Sequence, residues 1–140
     1  MSTVPLVEYQ DASPEVQAIF DEIKQARNVP DVNNFWKALA NHPDNLRRIW
    51  ASLRDVMQPG ALDGLTKELL YIAVSITNKC DYCTYSHTAA AFAKGMSAAQ
   101  YQELLAVVGM AHQTNALATG LKVPVDPQFM TNEKKSPGTV

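Results

Sequence analysis

The sequence predicts an all-α fold, a single-domain bundle of about six helices. Three observations carry this. Apolar residues recur at the three-and-four spacing of a helix face, not in the alternation of a strand. Proline, glycine and capping residues fall between those runs, where helices begin and end. Only Leu69 to Ile76 can be read as a strand, and helical continuation from Leu65 outweighs that reading. The chain has 140 residues, enough for one core. The domain is placed at residues 1–125, and the proline-rich, polar stretch 126–140 is expected to be a loosely ordered tail.

The first helix opens at Ser13-Pro14-Glu15, a cap residue followed by a first-turn proline and acid. Val16, Ile19, Phe20 and Ile23 then mark its apolar face, and Pro30 ends it at the latest. A short second helix, Asn33 to Asn41, carries Phe35, Trp36 and Leu39. His42-Pro43 breaks the chain before a third helix striped by Leu46, Ile49, Trp50, Leu53 and Met57, closed by Pro59-Gly60. The fourth runs from near Asp63 to about Thr77 and is apolar on most sides, so it is expected to be central. After a turn at Asn78-Lys79 the fifth starts near Cys80 and stops at Gly95, a good residue to follow a helix end. Ser97 to Gln100 reads as a capping box for the sixth, whose face is Tyr101, Leu104, Leu105 and Val108 and whose end is Gly120.

Composition excludes several function classes. The net charge of -2 implies no basic face for nucleic acid. No apolar run is long enough to cross a bilayer, and the start lacks a charged segment followed by an apolar one. A cytoplasmic protein without a membrane partner is expected. There, a close cysteine pair points to catalysis or metal binding more than to a structural staple.

The two cysteines, Cys80 and Cys83, stand two residues apart at the start of the fifth helix. His87 follows Cys83 at the i, i+4 spacing of one helix face. Along one straight helix, Glu68 would lie about 18 Å from Cys80. A turn at Asn78 changes that. If the segment 63–95 is an antiparallel hairpin, the chain after Cys80 returns towards Glu68, giving the order Glu68, His87, Cys83, with Cys80 at the mouth. The chemistry suits a thiol redox centre. A free cysteine with pKa ~8.5 is mostly protonated at neutral pH, so the thiolate needs help. The helix start offers N–H groups and partial positive charge. His87 can take the thiol proton, and Glu68 can orient His87 and balance its charge. Asp81 opposes a thiolate and is expected to face solvent.

Glu68, Cys80, Cys83 and His87 at these spacings, with Lys67-Glu68-Leu69-Leu70-Tyr71-Ile72-Ala73-Val74-Ser75 before them, resemble the alkylhydroperoxidase D-like branch of the carboxymuconolactone decarboxylase family. The resemblance spans roughly Leu46 to Val108. It implies an all-α fold and homo-oligomers, often trimers or hexamers. It implies that Cys83 attacks a hydroperoxide, that Cys80 resolves the sulfenic acid, and that Glu68 and His87 relay the proton. No cofactor is implied. The reductant would be an external dithiol or a lipoyl-type partner protein. One position departs: the best-known member has histidine immediately before the second cysteine, where this chain has Tyr82. Tyrosine, with a pKa ~10, is a poor base at neutral pH but a competent donor, so Tyr82 is read only as lining the site.

Two other readings stand beside this one. In the first, the pair is a redox-responsive bridge in a non-catalytic oligomer. In the second, Cys80, Cys83 and His87 belong to a structural zinc module that takes a fourth ligand from Glu68 or a second chain. Of the remaining candidates, His42 belongs to the helix break, and Trp36 and Trp50 to the core. Tyr85 is read as packing or hydrogen bonding, His112 as a residue within the sixth helix, and Lys134-Lys135 as a solvated tail.

Overall fold

The computed structural model describes residues 2–130. It contains six α-helices: α1 (Pro14–Arg27), α2 (Asn34–Leu39), α3 (Pro43–Met57), α4 (Gly64–Thr77), α5 (Asp81–Ala93) and α6 (Ala98–Gly120). Single 3-10 turns at Tyr9–Asp11 and Pro127–Phe129 were not foreseen; the second falls at the start of the expected tail, most of which, residues 131–140, lies outside the described residues. No strand occurs among the described residues, so the all-α reading holds. The chain divides after Lys67 into two compact units.

In the first unit the caps act as the sequence foretold. Ser13 Oγ accepts from Val16 N at 3.4 Å, with Pro14 following it. His42 caps α3, its Nδ1 accepting from Asn45 N at 3.3 Å, which accounts for its place in the helix break. α1 ends on Asn28 in the left-handed region, φ 52°, a conformation asparagine tolerates better than most residues. The α1 face Val16, Ile19, Phe20 and Ile23 is buried with Trp36 and with Leu46 and Trp50 of α3. The two tryptophan rings meet edge-on at 5.6 Å, and Trp50 Nε1 donates to Glu22 Oε2 at 3.2 Å. α2 is shorter than expected at both ends, and Phe35 faces solvent. One buried residue escaped the pattern: the Lys37 ammonium is held by Glu8 at 2.7 Å and Asp31 at 2.8 Å, the paired carboxylates a buried cation needs.

In the second unit, α4 ends without glycine. Lys79 N donates to Ile76 O at 3.1 Å and Cys80 N to Ser75 O at 3.0 Å, with Lys79 itself left-handed at φ 56°. A Cβ is disfavoured there, so Lys79→Gly should stabilise the protein by on the order of 0.5–1 kcal/mol after glycine's own entropic cost. A urea midpoint that rises with an unchanged slope is the expected reading; a fall would overturn it. α5 closes on Gly95 at φ 91°, with Met96 N donating to Ala91 O at 3.0 Å. α6 opens with the foreseen capping box, Gln100 N to Ser97 Oγ at 3.1 Å and Ser97 N to Gln100 Oε1 at 2.8 Å.

The expectation that α4 is central is met on one side only. Ile72 and Ser75 are buried, whereas Leu70 and Val74 on other faces are more than half exposed. A helix apolar all round seeks neighbours on every side, and Leu70 and Val74 remain exposed among the described residues. α6 is similar. Its expected face is buried or half-buried, but Val107, Met110 and Leu117 stand in solvent, and Ala106, Val107, Met110, Ala111 and Thr114 line a shallow groove. Among the described residues, no helix is long and apolar enough to cross a membrane.

Candidate active site

Cys80 is the N-cap of α5, and Cys83 lies in its first turn. The Cys83 backbone N–H donates to Cys80 Sγ at 3.2 Å, the bond a serine or aspartate cap would accept. The two cysteines are joined by a disulfide, with Cα atoms 5.3 Å apart. Both residues are half-buried. Asp81, in the same first turn, is exposed as anticipated. Tyr82 is 45% exposed beside the pair, and Tyr85 is more exposed still.

The face of α4 that turns inward is Glu68, Tyr71, Ile72 and Ser75, an i, i+3, i+4, i+7 set of which only Tyr71 is not fully buried. α5 returns along α4 after the Lys79 turn, which brings His87 beside Glu68. His87 Nδ1 lies 2.7 Å from Glu68 Oε2. An ionised carboxylate only accepts, so Nδ1 carries the hydrogen and Nε2 lies on the opposite edge of the ring. Cys83 and His87 stand one turn apart on α5; among the described residues, the ring's hydrogen bond goes to Glu68 and not to a sulfur.

Sequence reasoning missed two residues. Tyr71 stacks on the His87 ring, centroids 3.5 Å apart and planes 19° apart, and so sets the imidazole plane. Lys94 donates from Nζ to Glu68 Oε1 at 2.8 Å. Both carried a weak signal. Tyr71 is one turn beyond Glu68, and Lys94 is two turns beyond His87 at the end of α5.

Glu68 is only 4% exposed. Burial pushes its carboxyl towards protonation, but the hydrogen bonds from His87 and Lys94 and their charges outweigh burial, so it is held below the ordinary carboxylate range. His112 lies elsewhere on α6, its Nε2 3.0 Å from Thr77 Oγ1. That hydroxyl already donates to Ala73 O, so His112 is the donor. Among the described residues, no group of three or more His, Cys, Asp and Glu is arranged to hold a metal ion.

The model of the carboxymuconolactone decarboxylase family matches residues 43–126, which includes the cysteine pair, His87, Glu68 and Lys94. Among solved structures, the chain is similar to the alkylhydroperoxidase AhpD core from Rhodospirillum rubrum. The two are 50% identical with a TM-score of 0.90, over 94% of this chain and 99% of that one. No protein with a curated description matches the chain.

Proposed function

This chain belongs to the carboxymuconolactone decarboxylase family, and on that premise we propose that it is a thiol-dependent hydroperoxide reductase of the alkylhydroperoxidase D type. The observation that carries the reading is a cysteine pair at a helix start with, one turn on, a histidine bonded to a buried carboxylate.

In the proposed cycle the reduced Cys83 gives its proton to His87 Nε2, the ring edge that Glu68 leaves open. The Cys83 thiolate attacks the hydroperoxide; an S–O bond forms, the O–O bond breaks, and the departing alkoxide takes a proton. Cys80 then attacks the Cys83 sulfenic acid, which leaves a disulfide and water. An external dithiol, of lipoyl type on a partner protein, exchanges with that disulfide and is itself oxidised. The sum is hydroperoxide plus dithiol to alcohol, water and disulfide. The bond from Cys83 N–H to Cys80 Sγ supplies the sulfur with a donor, the help that Tyr82 in place of histidine does not give as a base.

We propose too that the protein is a homo-oligomer. The exposed apolar residues of α4 and α6, Leu70, Val74, Val107, Met110 and Leu117, support a second copy as what covers them. The same faces favour one alternative, a redox-responsive oligomer that forms the disulfide without turning over.

A single experiment separates the two. Reduced protein is mixed with cumene hydroperoxide in stopped flow, with and without dihydrolipoamide, followed by intact mass and light scattering. A peroxidase loses about 2 Da per disulfide formed and cycles while dithiol lasts. One slow oxidation with a change in oligomer size would replace this reading with the alternative.

A further inference from the structure

Lys94 has an ordinary explanation that its geometry exceeds. A lysine at a helix end complements the dipole, and an exposed one needs no further role. Lys94 occupies that end, as the residue after α5, with its backbone N–H bonded to Ala90 O and Ala91 O at 3.1 Å. Its side chain stays partly in water but is not free in it. It turns inward, and its ammonium, on a side chain 42% exposed, reaches a carboxylate that is 6% exposed. That carboxylate is the one holding His87. Glu68 thus divides its two oxygens, Oε2 to His87 and Oε1 to Lys94.

We propose that Lys94 is a positioning residue that weakens the hold of Glu68 on the His87 proton, so that His87 can act as a base at neutral pH. The inference rests on the peroxidase reading only for its consequence in turnover. A lone buried carboxylate beside an imidazole favours the imidazolium, and a histidine already protonated cannot take a proton from Cys83. A cation on the second oxygen offsets that attraction and repels a second positive charge at the ring. The groups facing Glu68 are His87 and Lys94, both from the α5 segment, with the Tyr71 ring of α4 against His87. The other charged side chains described in this unit, Lys79, Asp81, Glu103, Lys122 and Asp126, are exposed. The interaction acts across one carboxylate, and solvent around Lys94 screens it.

The test compares wild type with Lys94→Met and Lys94→Arg, with Lys94→Gln as the substitute should the methionine variant be insoluble. Two quantities are read against pH: the rate of Cys83 oxidation by cumene hydroperoxide, and the His87 ring signals by NMR in the reduced protein. Loss of the charge should move the His87 titration, and the acid limb of the rate profile with it, up by about half to one pH unit. The arginine variant should restore both. A His87 titration unmoved in Lys94→Met, or moved equally in Lys94→Arg, overturns the proposal, whatever either variant does to the melting temperature. Should wild type fail to reduce peroxide, the peroxidase reading falls, and the NMR titration still decides the role of Lys94.

Discussion

Replacing Cys83 with serine should lower peroxide turnover by on the order of a thousandfold or more, because the group removed is the one that forms the bond to oxygen. Serine keeps the size of the side chain and its place in the first turn of α5. It loses a sulfur that can ionise near neutral pH. The matching change, Cys80→Ser, should behave differently. It leaves the attacking thiol but not the resolving one, so the protein should consume one equivalent of peroxide and stop, gaining about 16 Da as sulfenic acid. Intact mass after a single peroxide pulse distinguishes the two variants. If Cys83→Ser turned over normally, or if Cys80→Ser gained no oxygen, the assignment of Cys83 as the attacking thiol would be wrong.

Glu68→Gln should cost about a hundredfold in oxidation rate, the low end for removing a participant in proton transfer. Glutamine preserves the shape of the side chain. Its amide cannot accept from both His87 and Lys94, since one end of it is a donor. One cation or ring N–H is therefore left facing an N–H group in a buried setting. The stability loss at neutral pH should be on the order of 1.5–3 kcal/mol, the range for a hydrogen bond to a charged group.

The pH dependence gives this second prediction a sign. The folded carboxyl of Glu68 is held below its ordinary value of 4.5, so the unfolded chain binds the proton more readily. Its contribution is complete above that ordinary value and fades as pH falls through the lower folded value. Urea unfolding should show wild type well above Glu68→Gln at pH 7. The gap should narrow only below pH 4.5, as the folded carboxyl takes up its proton. A gap that stays constant down to the acid limit would show that Glu68 acts by shape and not by charge.

Much of the fold was legible because its signals are local. Ser13-Pro14, His42-Pro43, Gly95 and the Ser97 to Gln100 box each act within a turn of their own position, and the structure uses all four. The buried stripe of α1 was equally plain, since one helix face is written in residues three and four apart. Lys37 was not legible. Its burial depends on Glu8 and Asp31, which lie on separate segments, and nothing in the local pattern marks a lysine for the interior. The exposed sides of α4 were misjudged for a related reason. Hydrophobicity says that a face seeks cover, not whether the same chain supplies it.

The candidate site divides along the same line. Sequence by itself determined the Cys80–Cys83 spacing, the placement of both at a helix start, and the one-turn register of His87, because covalent order and helical pitch leave no freedom there. The sequence placed Glu68 beside His87 only on the condition of a hairpin, and the tertiary structure decided that condition, along with Tyr71 lying against the ring and Lys94 taking the other carboxylate oxygen. Those contacts join residues 16 to 26 positions apart. They exist because α5 turns back towards α4 at Lys79, and where the returning helix lies is a tertiary matter that no short stretch of sequence encodes.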